Sequence, residues 1–178
     1  MSTSEIVFEV LKFTLPAGLV LAGVALVIRS NQRKKEAELR YGVYKDTFKE
    51  IVPLRLQAYE RAVLFLERIA PENLMLRVDG RGKPARAFQA ELVADIRREY
   101  EHNIAQQLYI REESWELLAR AKEQTISLIN RSAQGLAPDA QGIELGRKVL
   151  NKLMESELAP TRDAVRVLKQ DIQAMFRF

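Results

Sequence analysis

His102 is the residue that comes nearest to a catalytic or metal-binding site. It is the only histidine among the 178 residues, and the chain contains no cysteine. Glu99 and His102 reproduce the ExxH spacing of di-iron bundles, but such a site needs a second ExxH and two further inward carboxylates. As a general base, His102 would need a nucleophile and an oxyanion site, and the sequence shows neither. We therefore expect a polar contact between helices at His102, and no catalytic residue, metal site or cofactor.

Three amide side chains extend this polar stretch, at Asn103, Gln106 and Gln107. Amides both donate and accept hydrogen bonds, so the stretch could fix the register of neighbouring helices or receive the backbone of a partner. We interpret His102 and the three amides as a candidate interaction patch. Neither enzymatic activity nor a small-molecule substrate is expected.

The loop at residues 79–84, DGRGKP, has the glycines and cations of a phosphate-binding loop. A P-loop requires GxxxxGK followed by Ser or Thr, and Pro84 stands where that hydroxyl residue would be. The loop is therefore interpreted as a flexible basic connection.

A long apolar run lies near the N-terminus. Residues 13–28 carry no charge, and the nineteen residues 10–28 are interrupted only by Lys12. A helix of that length reaches about 28 Å, close to the ~30 Å hydrocarbon thickness of a bilayer. A signal peptide would carry cations before the run, where only Glu5 and Glu9 stand, and a core helix apolar on all sides could scarcely be enclosed. We predict a transmembrane helix over residues 10–28.

The cations that follow this run predict its orientation, because short flanks rich in Lys and Arg stay cytoplasmic. They are Arg29, Arg33, Lys34 and Lys35. Residues 1–9 are then extracytoplasmic, and the long C-terminal part lies in the cytoplasm. The cluster serves as a topology signal or also binds anionic lipid headgroups. Nucleic acid is not an expected partner, since a nucleic-acid binder would spread its excess charge over the folded domain.

Two features upstream of the main domain predict association. Small residues share one face of the predicted span, at Gly18, Ala22 and Ala25, where a second helix could approach closely. Apolar residues at alternating steps of four and three then form a coiled-coil seam over Ala37, Tyr41, Tyr44, Phe48 and Ile51. We interpret residues 29–52 as a helical stalk that pairs with a copy of itself or lies on its own domain.

Helical periodicity dominates the rest of the chain. It predicts helices near residues 53–70, 84–109, 112–129, 145–153 and 160–176, with Thr161 as the cap of the last one and Trp115 as a core anchor. Only residues 74–78 alternate like a short extended stretch. The sequence therefore predicts an all-α protein with one transmembrane helix, a stalk and a cytoplasmic helical bundle over residues 53–178.

Five segments carry a resemblance to a known family: LKFTLPA at 11–17, PLRLQAYER at 53–61, LFLER at 64–68, EHN at 101–103 and WEL at 115–117. The chain resembles a family of small single-span membrane proteins of unknown function from Bacteroidota. The resemblance implies a bacterial membrane-anchored helical protein, and it brings no activity, cofactor or catalytic residue.

Three functions are compared on these observations. The favoured one is an interaction or scaffold protein that assembles with itself or with a larger envelope complex. A lipid-binding or nucleic-acid-binding module through residues 29–49 is the alternative, and an enzyme that uses His102 with nearby carboxylates ranks third.

Overall fold

The computed structural model describes residues 48–155 and 160–176, together with the single positions 24, 26, 28, 29, 32, 35 and 42. The chain divides into two compact units, Met1–Ile51 and Val52–Phe178. In the first unit, all the described positions are helical. Of the predicted span over residues 10–28, only positions 24, 26 and 28 are described, and most of the stalk lies outside the described residues. Among the described helices, none is both long enough and apolar enough to cross a membrane.

The second unit consists of helices joined by short connections. They are α1 (residues 52–69, continuous with the helical residues 48–51), α2 (Pro71–Arg77), α3 (Ala85–Asn103), a 3₁₀ turn (Ile104–Leu108), α4 (Glu112–Ala133), α5 (Gly142–Glu155) and α6 (Pro160–Met175). Over the described ranges the only β pairing is an isolated bridge between Pro84 and Gln141. The prediction of an all-α helical bundle is confirmed.

The core lies between the helices, with α4 in contact with α3, α5 and α6. Side chains spaced three or four residues apart fill it, because that spacing places them on one helical face. The largest fully buried ones are Tyr59, Phe65, Leu66, Ile69, Leu74, Leu92, Ile96, Leu118, Ile129, Leu145, Leu168 and Val149. Trp115 packs against this core with its ring 5.7 Å from that of Tyr100, as expected of a core anchor.

Residues 71–77 form a helix, so the predicted extended stretch at 74–78 is wrong. Pro71 occupies the first turn of α2, where its missing amide costs nothing and its fixed φ favours the helix. Leu74 and Val78 are buried, whereas Leu76 is 87% exposed. A helix that buries positions i and i+4 produces the same apolar spacing as a strand over so short a segment.

Backbone hydrogen bonds join the end of the loop at residues 79–84 to the start of α5. The amide of Gly142 donates to the carbonyl of Lys83, and the amide of Ala85 donates to the carbonyl of Ala140, both at 2.8 Å. Gly80 and Gly142 pack so closely that a Cβ on Gly142 would lie 2.5 Å from the Gly80 carbonyl oxygen. Two glycines therefore let this loop approach the start of α5.

The last helix begins at Pro160, as predicted, but Thr161 is not its cap. Thr161 lies within α6 and is buried. The N-cap is the residue that precedes the first helical residue, and Thr161 follows Pro160 inside the first turn.

Gly142→Ala should destabilise the helical unit by about 1–3 kcal/mol, because the new methyl group overlaps a backbone oxygen that cannot move alone. Gly146→Ala in the same helix is the control, since its Cβ would meet only ordinary contacts at 3.5 Å and alanine favours a helix. Urea unfolding followed by the fluorescence of the single tryptophan measures both. Equal midpoints for the two variants would contradict the close approach.

Candidate functional site

The most distinctive surface of the helical unit is a groove between α1 and α6, with a volume of about 450 Å³. Its lining residues are Leu56, Tyr59, Glu60, Val63, Leu64, Leu168, Lys169, Ile172 and Gln173. On the α1 side, Leu64 is 53% exposed and Leu56 is 37% exposed. The groove is thus mainly apolar and open to solvent, and we call it the α1/α6 groove.

The groove exists because α1 carries two adjacent apolar stripes. One stripe, with Ala58, Ala62, Phe65 and Ile69, is fully buried in the bundle. The other, with Leu56, Tyr59 and Val63, faces the groove. Both stripes have helical spacing, so the sequence shows that the apolar face of α1 is wide. It does not show which part of that face the bundle leaves uncovered, and sequence reasoning missed the groove.

A buried carboxylate joins the two walls of the groove. The hydroxyl of Tyr59 in α1 donates to Oδ2 of Asp171 in α6 at 3.2 Å. The hydroxyl of Ser114 in α4 donates to the same oxygen, and the Arg111 guanidinium lies 3.4 Å from Oδ1. Asp171 is only 9% exposed. Because both of its oxygens have partners, the buried charge is compensated, and the carboxylate links three helices.

Tyr59 belongs to both the groove and this network. Burial raises the pKa of Tyr59 above its ordinary value, and the nearby negative charge of Asp171 acts in the same direction. The amide of Arg111 donates to its hydroxyl oxygen at 3.3 Å, which lowers the pKa in part. Tyr59 therefore stays a neutral donor to Asp171 at ordinary pH, with its ring in the groove wall.

The network also contains a serine hydroxyl. Ser114 is the one hydroxyl bonded to the carboxylate that could serve as a nucleophile, and it is 3% exposed. A serine nucleophile needs an adjacent base that takes its proton and a space beside it for the reacting carbonyl. Asp171 already accepts from two hydroxyls, and the burial of Ser114 leaves no such space. The arrangement fastens α1, α4 and α6 together.

A second charged cluster holds the opposite side of α1. Arg68 pairs with Glu99 of α3 at 2.5 Å, and Arg77 of α2 pairs with Asp95 of α3 at 2.5 Å. Arg77 also lies 3.7 Å from Glu99. These pairs join α1 and α2 to α3, and they share no residue with the Asp171 network.

The four residues of the predicted polar patch lie at the end of α3 and in the 3₁₀ turn that follows it. His102 is exposed, and the contact between helices comes from Asn103, which accepts from Arg61 of α1 at 3.3 Å. Asn103 also donates to the Glu99 carbonyl at 2.7 Å. In the 3₁₀ turn, Gln106 is half-buried and Gln107 is exposed. Sequence reasoning placed the contact one residue too early.

The membrane-flanking cations are only partly described. Arg29 and Lys35 are helical and exposed, whereas Arg33 and Lys34 lie outside the described residues. The candidate span-packing residues Gly18, Ala22 and Ala25 also lie outside them. Over the part of the chain that the structure describes, no three His, Cys, Asp or Glu side chains are grouped so that they could hold a metal ion.

Comparison with known families gives one match. A model described as Family of unknown function (DUF7935) covers residues 5–175. The chain belongs to this family. No curated protein matches the chain, and no solved structure does. The family match includes the predicted anchor segment as well as the whole α1/α6 groove.

Tyr59→Phe should lower the free energy of unfolding at pH 7 by about 1 kcal/mol, the size of one hydrogen bond. The raised pKa of Tyr59 gives the wild type stability that is complete below pH ~10 and is lost as the pH rises above it. Phenylalanine does not titrate, so the difference between the two proteins should narrow in strong base. Urea midpoints at neutral and at high pH measure it.

Tyr109→Phe is the control for this substitution, since Tyr109 is an exposed tyrosine outside the groove. It should leave the midpoint unchanged at both pH values. If the stability difference between the wild type and Tyr59→Phe stays constant with pH, the role assigned to the Tyr59 hydroxyl is wrong.

Proposed function

We propose that this chain is a membrane-anchored docking protein, whose helical unit binds a helix of a protein partner in the α1/α6 groove. Residues 10–28 anchor the chain in a bacterial inner membrane, and the helical unit faces the cytoplasm. The observation that carries the proposal is the groove itself, an open, mainly apolar concavity of about 450 Å³.

The groove has the properties of a site that receives an amphipathic helix. In such sites the apolar side chains of the incoming helix lie in a hydrophobic groove, and its polar face stays in water. Leu56 and Leu64 supply exposed apolar surface, and Glu60 and Lys169 supply polar edges. Single exposed leucines are common on protein surfaces, and the docking proposal depends on Leu56 and Leu64 lining the same concave surface.

The proposed role requires fixed groove walls rather than chemistry. Asp171 joins both walls through Tyr59 and through the packing of α6 on α4. A preformed groove lowers the ordering cost of binding, because its side chains are already held. The docking role therefore uses the buried network as a support and needs no catalytic group, metal or cofactor.

The anchor is supported by the composition of residues 10–28 and by the cations that follow them. Arg29 and Lys35 are exposed on helical residues, as required of side chains that contact the headgroup layer. Anchoring would keep the groove close to partners in the same membrane and raise their effective concentration.

Photo-crosslinking in living bacteria tests the docking role. A photoreactive phenylalanine analogue replaces Leu64 in the full chain, and the same analogue at Leu76 is the control, because Leu76 is even more exposed but lies on α2 outside the groove. Position 64 should give discrete protein adducts in membranes washed with alkaline carbonate, and position 76 should not. The analogue at Leu56 should give adducts as well, and Leu64→Glu in the same chain should remove them.

Two results would contradict the proposal. Adducts of equal yield from positions 64 and 76 would show that contact follows exposure rather than the groove. Release of the full chain from membranes by the carbonate wash would contradict the anchor.

A further inference from the structure

We propose that the occupant of the α1/α6 groove is a second copy of this chain, so that two chains form a dimer with twofold symmetry. The inference rests on the proposed function, because it uses the same groove and names the partner.

The two walls of the groove carry opposite charges. Glu60 lies on the α1 wall and Lys169 on the α6 wall, and both side chains are exposed. Neither forms an ion pair with another described residue. Among the described residues, two opposite charges at the edges of an apolar groove are thus free to pair with charges on a partner.

Glu60 and Lys169 lie at nearly the same height along the groove. α1 and α6 run in opposite directions, since Tyr59 near the start of α1 contacts Asp171 near the end of α6. At the other end, Arg162 of α6 lies 2.8 Å from Glu72, just beyond the end of α1. Glu60 is one residue after Tyr59 in α1, and Lys169 is two residues before Asp171 in α6. Because the two helices run in opposite directions, both displacements point the same way along the groove.

A twofold axis along the groove therefore pairs unlike charges. Such an axis places α1 of one chain over α6 of the other, so Glu60 faces Lys169 of the second copy, and the reverse contact follows by symmetry. Leu56 and Leu64 then meet the apolar side of the opposite α6. Both chains keep the same direction along the groove.

This arrangement distinguishes a second copy from an unrelated helix. A foreign helix must supply an acid and a base at matching heights, whereas this surface is complementary to itself. Complementary charges at an interface fix the register and disfavour wrong partners. Two copies held in the same membrane also meet at high effective concentration.

Charge reversal with co-expressed chains tests the inference. Full-length chains with two different affinity tags are produced together, extracted in mild detergent, and one tag is used to recover the other. Glu60→Lys in both chains, or Lys169→Glu in both, places like charges at two symmetry-related contacts. Recovery should then fall on the order of tenfold relative to wild type.

The decisive sample combines one Glu60→Lys chain with one Lys169→Glu chain. Both contacts are then attractive again, so recovery should return to the wild-type value. Glu101→Lys is the control, because Glu101 is an exposed acid on α3 outside the groove, and it should have no effect.

Unchanged recovery in the single reversals, or a mixed pair that recovers no better than they do, would overturn the inference. The proposed function has a separate outcome. If the copies do not pair but position 64 still crosslinks to another protein, the groove docks a different partner and only this inference fails. If position 64 gives no groove-specific adduct, the docking role itself fails.

Discussion

The buried carboxylate of Asp171 is the interaction on which the rest of the helical unit depends. It lies where α1, α4 and α6 meet, and it accepts from Tyr59 and Ser114 while Arg111 compensates its charge. Removing one partner of such a group leaves an uncompensated polar atom in the interior, which costs more than the lost hydrogen bond. The three helices therefore have one favoured arrangement, and the separation of α1 from α6 follows from it.

The groove is a consequence of that arrangement and of the composition of α1. The bundle buries the stripe of Ala58, Ala62, Phe65 and Ile69 completely but leaves Leu56 and Leu64 of the adjacent surface exposed. Tyr59 belongs to both the groove and the network, since its hydroxyl donates to Asp171 while its ring remains in the groove wall. The surface proposed to dock a partner is thus supported directly by the buried network beneath it.

Helical periodicity was enough to predict the class of fold and most of the helices, because each one repeats apolar residues every three or four positions. It failed at residues 74–78, where two buried positions four apart resemble a strand. The network was beyond sequence reasoning, since Tyr59 and Asp171 are 112 residues apart and Ser114 and Asp171 are 57 apart. Within the predicted polar patch, the contact between helices is made by Asn103 rather than by His102, because a shift of one residue turns a side chain about 100° around a helix.

The central claim is that a protein occupies the α1/α6 groove when the chain is in its native membrane. The chain has no cysteine, so Leu64→Cys and Leu76→Cys each introduce a single thiol. In the unoccupied chain, residues 64 and 76 are 53% and 87% exposed, so both thiols should react readily with a maleimide. The account predicts that in native membranes Cys at 64 reacts far more slowly than Cys at 76, and that urea removes the difference. Similar rates at the two positions in native membranes would contradict it.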